Sequence, residues 1–595
     1  MKSHWWRLAP WNDGPDPALV AISSELSRPE TERELHELAD QERYPAPVLA
    51  RLRELGLAEL FSDEARITTR TLCGLNEVCA RHDGSLAITV GVNSLSLLPV
   101  WIAGSEALRA WVGERVREGA AASMLLTELD HGSNLARNQA RAERGGPAEP
   151  FTPLPPGEGQ ATRYRLWGEK HLINGATRHE LLVTLARTQA ADPSRSGPLA
   201  SLVDFSVLVV ERDSSVEALP RWRTLPGQGA DIAGVRFHGT VVPAERLVGR
   251  EGEGLSLIQR TLVASRGGIG ALAAGTAARA LELALLHART RDVYGSPIVG
   301  LGAIGDHLVR LDLAALSCAA LSARTAGWVN ALGLGAAHLT AAAKVVCCAL
   351  AEEAVTEGRR VLGSRALLRE HPYERAVRDV TLFPVFDGTS HLMLELLASR
   401  LAQAARELER EPDDAQAQLA ALRQTYAQPA RPLTEVLSQK ARSAPTAYLA
   451  QARALTEAGV VDASPVVDLV RGLLQVVNGL IASGQWERDQ ALRFRAAMAL
   501  GQLEALFAVL ELADPARREA LGLRADRLDP DDERRARLAL AWLGGRIHRR
   551  VRELALGCEL GPAPLRTLEG LEERLRRGEA VLAREQRASY ASTPA

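Results

Sequence analysis

The sequence predicts an α+β fold, mainly α, and three observations predict it. Apolar residues recur at three- and four-residue spacing through the first 120 residues, short β-branched segments occupy about 121 to 254, and long helical patterns run from there to the C-terminus. Strands gathered between helical regions argue against the alternating pattern of a parallel α/β sheet. A chain of 595 residues accommodates three or four folding units at ~100–200 residues each.

The expected organisation is an N-terminal helical domain (1–120), a central β-barrel (121–254), a C-terminal four-helix bundle (255–403) and an additional helical domain (404–595). The first rests on "APVLARLRELGLAELF" and "LNEVCARHDGSLAITVGVNSLSLLPVWIAG". The second rests on "LLVTLART", "LASLVDFSVLVVER" and "GVRFHGTVVP", separated by glycine- and proline-rich punctuation such as "GGPAEPFTPLPPGEG". "TAARALELALLHARTRDVYG" and "AAAKVVCCALAEEAVTEGRRVLG" give the third, and "PVVDLVRGLLQVVNGLIASG" is one of at least four helices in the last.

Composition excludes several classes of function. With 46% hydrophobic and 24% charged residues and a net charge of -2, the chain lacks the basic excess of a nucleic-acid binder. Arginine supplies nearly all the positive charge, the lysines being Lys2, Lys170, Lys344 and Lys440. The six cysteines lie in apolar helical stretches without zinc or redox spacing, which fits a reducing cytoplasm. No apolar signal core follows Met1, so no secretory leader is expected. The uncharged run Thr325 to Ala343 carries Asn330 and His338 and reads as a buried bundle helix rather than a transmembrane segment. "GREGEG" (Gly249–Gly254) and "GGIGALAAG" (Gly267–Gly275) lack the strand-to-helix setting of a dinucleotide loop, and the histidines show no metal-ligand spacing.

Five segments remain to carry chemistry. "LLTELDHGSN" (Leu125 to Asn134) puts the hydroxyls of Thr127 and Ser133 on a small-residue loop, suited to hydrogen-bonding heteroatoms and a phosphate, or forming a plain polar loop. "GEKHLINGATRHELLVTLART" (Gly168 to Thr188) ends a strand at Asn174-Gly175, which also reads as a hairpin turn. "VVPAERLVGREGEG" (Val241 to Gly254) and "ARTRDVYGSPI" (Ala288 to Ile298) follow, the latter with Arg291 at a helix end where it could meet a phosphate or simply be solvated. In "LGSRALLREHPYERAVRDVTLFPVFDGTS" (Leu362 to Ser390) an apolar run is broken by Asp387-Gly388-Thr389, a turn when read alone.

In this order the five segments resemble the acyl-CoA dehydrogenase family, flavoenzymes that bind FAD between a helical domain, a β-barrel and a four-helix bundle. The resemblance spans about Tyr44 to Arg400. It implies that Leu126, Thr127 and Ser133 face the flavin and pyrophosphate, and that Leu172 and Asn174 stand where relatives place an aromatic and a threonine. It assigns Arg291 and Tyr294 to the FAD diphosphate of a neighbouring subunit, hence a homodimer or homotetramer, with Arg360, Gly363 and Ser364 where relatives carry glutamine and a glycine pair. Thr389 joins the cofactor set, while Ser133, Arg266, Phe386 and Gly388 join the substrate set.

The resemblance makes Asp387 the catalytic base, removing the α-proton of an acyl-CoA or acyl-carrier-protein thioester while the β-hydrogen leaves as hydride to flavin N5. Relatives usually carry glutamate at this turn, or on the helix before the arginine that is here Arg266; Ser265 excludes the second arrangement. A carboxylate between Phe383 and Phe386 should be poorly solvated, which favours the protonated form and suits a general base. Aspartate is one methylene shorter, and a displacement of about 1 Å can lower a rate by ~10²-fold. The substrate is therefore expected to differ in shape from a straight-chain acyl-CoA.

Val263 replaces the aspartate that relatives often turn toward the CoA adenine, which keeps the acyl carrier protein open as the thioester's bearer. Reoxidation by an electron-transfer flavoprotein is implied. Two alternatives stay open: a flavin oxidase of another carbon acid, as in nitroalkane-oxidising relatives, and a non-catalytic scaffold that keeps the fold. The helices after 404 are similar in length and place to the extra domain of very-long-chain members. Their arginines, from Arg534 to Arg552, fit a bundle with salt-bridged side chains, and otherwise peripheral contact with an anionic membrane or an acidic carrier.

Overall fold

The computed structural model describes residues 16–147, 150–154, 159–189, 202–408, 429–438, 446–457, 461–513, 530–558, 566–576 and 579–592. The stretch read for a leader, and most of "ELEREPDDAQAQ", lie outside them. The chain divides into two compact units, one of residues 16–265 with 431–439 and one of 266–430 with 440–595.

In the smaller unit, polar side chains start the helices where the apolar periodicity begins. Thr68 accepts from the Thr71 amide (3.1 Å), Asp83 from Leu86 (2.8 Å) and Ser105 from Leu108 (3.2 Å), capping Thr69–His82, Gly84–Ala103 and Glu106–Arg117. The strands are β1 (Ala122–Leu125), β2 (Arg141–Gly145), β3 (Arg163–Asn174), β4 (Leu181–Arg187), β5 (Phe205–Glu211), β6 (Val216–Ala218), β7 (Ile232–Pro243) and β8 (Leu247–Val248). Leu125, Leu166, Leu182, Leu208, Val235 and Phe237 anchor their common core.

These strands correct the expected β-barrel. They form an open mixed sheet in the order β6-β7-β3-β2-β4-β5-β8, with β1 laid parallel to β4, and no closed barrel forms. Closure requires two long terminal strands with matched stagger and tilt. Here the ends are β6 and β8, of three and two residues, each bonded to one neighbour among the described residues. Alternating burial and β-branched composition specify a strand but not whether a sheet's ends meet.

The larger unit is helical, built on the C-terminal part of Gly254–Thr290 and on Gly302–Leu332, Cys348–Leu362, Ser390–Arg406, Ser464–Ala482, Gln490–Ala513 and Pro530–Gly557. The run Thr325 to Ala343 is buried as expected but is not one helix: Gly333 takes φ 54 and ends the first segment, and Ala337–Ala342 resumes after a short turn. Buried polar groups tie the late helices to the earlier ones. Arg324, 1% exposed, pairs with Glu504 (3.1 Å) and with Glu511, and donates to Gln451 (2.8 Å). Asp312 receives the Tyr590 hydroxyl (2.6 Å) and Arg535 (3.1 Å).

Five helical stretches among the described residues are long and apolar enough to cross a membrane, yet 56–83% of each apolar window is buried inside the protein. The late arginines are largely engaged by protein groups: Arg534 with Gln586 (2.9 Å), Arg546 with Glu353 (2.6 Å), Arg550 with Gln502 (3.1 Å) and Arg552 with Glu572 (3.6 Å).

Candidate functional site

Within the smaller unit, the chain leaves β1 at Leu126 and is fastened by a group that the sequence reading did not single out. Lys170, fully buried on β3, donates to the Leu126 carbonyl (3.2 Å) and to the Glu128 carboxylate (3.0 Å). Asn138 donates to the same carbonyl (2.6 Å), and the amides of Gln139 (2.7 Å) and Ala140 (2.9 Å) complete the shell of Glu128. The His171 amide meets the Thr127 carbonyl at 2.9 Å. Burial pushes the Lys170 ammonium down to about 8 against the pull of Glu128. Burial also pushes Glu128 up, but Lys170 and the two amides outweigh it and the net shift is downward. Leu126 and Thr127 are thus held half-buried, and Ser133 is exposed further along the loop.

The end of β3 is irregular. Its register against β7 slips between Lys170 and Ile173, and Leu172 there takes φ 57 and is 53% exposed. Asn174 follows as the last residue of the strand, 5% exposed, with neither atom of its side-chain amide hydrogen-bonded among the described residues. Asn174-Gly175 is not a two-residue hairpin turn, because β2 lies between β3 and β4. The Asn174 carbonyl is fixed from behind by the Ser123 hydroxyl (2.7 Å).

Ser123 also meets His179 Nδ1 (2.9 Å), which lies 3.0 Å from the Ala122 carbonyl, while the Tyr44 hydroxyl is 2.9 Å from Nε2. The Ala122 carbonyl can only accept, so Nδ1 carries the proton and Nε2 accepts from Tyr44. Burial lowers His179 to about 4 and raises Tyr44 to about 12, so the chain of bonds is neutral. Gly175 is required here: at φ 74, an added Cβ would lie 2.1 Å from His179 Nδ1.

Within the larger unit, Asp387-Gly388 forms a turn, but not an ordinary one. Asp387 has φ 56 and Gly388 φ 90, both left-handed. Among the described residues four non-glycines have positive φ, namely Glu42, Leu172, Tyr294 and Asp387, and the last three are candidates selected from sequence. Such backbone costs about 1–3 kcal/mol per residue and concentrates at ligand sites. Phe383 is fully buried below the turn, Phe386 and Asp387 are half-buried, and Thr389 precedes the helix Ser390–Arg406.

Two cations accompany the turn. Lys344, 0% exposed, donates to the carbonyls of both Phe386 and Gly388, and its Nζ lies 5.6 Å from the Phe386 ring centroid. Arg266 guanidinium nitrogen lies 3.5 Å from where a Gly388 Cβ would stand, and its Nε is buried without a hydrogen bond among the described residues. Burial lowers the pKa of both cations, and attraction to Asp387 opposes that burial in each. Asp387 therefore follows the half-buried Phe386 in sequence and is attracted by two positive charges, Arg266 and Lys344.

The remaining candidates stand apart at helix ends. Arg291 is exposed beyond Gly254–Thr290, and Tyr294, 98% exposed, tips the two-stranded ribbon Asp292–Val293 with Ser296–Pro297. Arg360 pairs with Glu357, which also takes His307 Nδ1 at 2.6 Å, while Gly363 (φ 61) and Ser364 are exposed just after that helix. No cluster of three or more metal-ligating side chains occurs among the described residues.

Comparison with known proteins gives a consistent set of likenesses. A family model described as acyl-CoA dehydrogenase, C-terminal domain, matches residues 252–402. A probable acyl-CoA dehydrogenase, FadE25, of Mycobacterium tuberculosis is 25% identical over 375 residues, 61% of this chain and 90% of that one. Its Mycobacterium leprae counterpart is 25% identical over 369 residues, 60% and 88% of the two chains. Among solved structures, an acyl-CoA dehydrogenase complexed with FAD from Bacillus anthracis superposes with TM-score 0.76 at 18% identity, covering 99% of this chain and 97% of that one. Butyryl-CoA dehydrogenase from Megasphaera elsdenii gives 0.57 at 20% identity, covering 64% of this chain and 97% of its own. The late helices therefore have a counterpart in the Bacillus fold.

Proposed function

We propose that the chain is a member of the acyl-CoA dehydrogenase family that dehydrogenates an acyl thioester across its α and β carbons with FAD, using Asp387 as the base. The residues present fit the cofactor: the buried Asn174 amide offers a donor and an acceptor that no group among the described residues uses. Leu126, Thr127, Ser133, Leu172 and Asn174 are the residues we assign to holding it in the smaller unit. Arg291, Tyr294, Arg360, Gly363, Ser364 and Thr389 are those we assign in the larger one. When bound, FAD supplies the acceptor for the β-hydrogen.

The observation that carries the reading is the turn itself. Asp387 is held in left-handed backbone, inside the matched family segment, directly after the half-buried Phe386. The carboxylate takes the α-proton, with the Arg266 and Lys344 cations attracted to it. The Asp387 amide N–H serves as an oxyanion donor to the thioester carbonyl. We assign Ser133, Arg266, Phe386 and Gly388 to the substrate, and the shorter carboxylate to a substrate whose α-carbon approaches the turn more closely than a straight chain would.

An electron-transfer flavoprotein is the acceptor we assign, and a homodimer or homotetramer the assembly. All six cysteines are free, in keeping with a reducing compartment. Anaerobic addition of CoA and carrier-protein thioesters to the purified yellow protein tests the reading. A thioester that bleaches the flavin is the expected outcome; protein that neither binds FAD nor bleaches sinks it.

A further inference from the structure

We propose that Lys344 is the positioning residue of the base turn, holding Asp387 in its working conformation through the carbonyls on either side of it; the proposal rests on Asp387 being the base. Lys344 lies in a π-turn, Ala343–Cys347, inserted between the helices Ala337–Ala342 and Cys348–Leu362. Such a turn adds a residue to the helical repeat and re-aims the side chains within it, and it is frequent at functional sites. Here it sends the only lysine of the described larger unit into the interior, where the side chain is 0% exposed.

The two bonds are aimed with a particular result. Lys344 Nζ donates to the Phe386 and the Gly388 carbonyls, which bracket Asp387 in sequence. Drawing both carbonyls toward one ammonium fixes the peptide planes before and after the Asp387-Gly388 pair. That holds Asp387 at φ 56, a left-handed value that a non-glycine residue adopts at a cost. With the backbone fixed, the direction of the short Asp387 side chain is fixed too, and aspartate has little length with which to compensate for a displaced backbone. Hydrogen bonds from an ammonium to carbonyls are charge-assisted and stronger than neutral ones.

A purely structural lysine would be expected to sit with a carboxylate, as Lys170 does with Glu128. The charged or titratable groups acting on Lys344 are Asp387, Cys348 and Arg266. Arg266, from the helix Gly254–Thr290, also acts on Asp387. Lys344 therefore holds the turn mechanically through its carbonyls and acts on the base carboxylate through its field.

The test uses the flavin-loaded enzyme and the variants Lys344→Met and Lys344→Gln, with anaerobic stopped-flow reduction by a thioester that bleaches the parent. The expected result is flavin occupancy and thioester affinity within about threefold of the parent, and a reduction rate about 10²-fold lower. The acid limb of the pH–rate profile should also move to higher pH, because a cation beside the carboxylate is gone. Parent-like rate and limb in either folded variant overturn the proposal, as does loss of folding or of flavin in both, which would make the lysine structural. Asp387→Asn, run in parallel, separates the two ideas. If it still bleaches, the base assignment has failed; if it is dead while Lys344→Met is parent-like, only the positioning role has failed.

Discussion

Two segments of this molecule are gripped by buried lysines, and the grips differ. At residues 126–128, Lys170 binds one carbonyl and a carboxylate, so its charge is matched within the same loop. At residues 386–388, Lys344 binds two carbonyls, and the nearest carboxylate acting on it is that of Asp387. The first arrangement builds a stable wall. The second leaves positive charge directed at the proposed base, and the two lysines among the described residues, both buried, serve segments that the family resemblance assigns to chemistry.

Asp387→Asn is the largest break available to this comparison. Removing a general base should slow flavin reduction by about 10²–10⁴-fold with flavin retained, as measured by anaerobic stopped-flow. Lys170→Met should act the other way, leaving Glu128 buried without its cation and lowering stability by about 3–5 kcal/mol in urea unfolding. Adding Glu128→Gln to it should recover part of that loss, because the stranded charge is removed. A Lys170→Met protein of parent stability would dissolve the distinction between the two grips.

Smaller effects sharpen it. His179 is lowered to about 4 when folded, so between the unfolded value near 6.5 and pH 4 the unfolded chain binds the proton more readily. Its contribution is present above the upper value and lost as pH falls, on the order of 3 kcal/mol across the window. Unfolding measured from pH 7 to 4 should show that slope, and His179→Asn should flatten it. Gly388→Ala tests backbone geometry alone, since the new Cβ would meet Arg266 and Met393 at 3.5 Å, an ordinary contact. Left-handed φ should then cost about 1 kcal/mol.

The sequence made the candidate residues legible where conformation is local. Asp387 before glycine, Thr127 in a polar loop and Asn174 before Gly175 each announce a turn or strand end, and their order along the chain carried the family resemblance. It did not reveal Lys170 or Lys344 as anchors, because each acts on a carbonyl more than 40 residues away: Lys170 to Leu126 and Lys344 to Phe386 are separated by 44 and 42 positions. Carbonyls are present at every residue, so no side-chain pattern marks the recipient. Scarcity was the available signal, four lysines among 71 basic residues.

The open sheet was illegible for a related reason. Periodicity specifies which face of a strand is buried, whereas closure depends on whether β6 and β8 are long enough to meet, a property of the whole sheet. Helices, strands and the residue types at the turns were thus set by short-range physics, the 3.6- and 2-residue periods and the steric demands of Gly and Asp. The left-handed conformation of Asp387, the neutral His179 and the burial of both lysines were decided only when distant segments packed, because hydrogen bonds to backbone and loss of solvent depend on what the fold brings alongside.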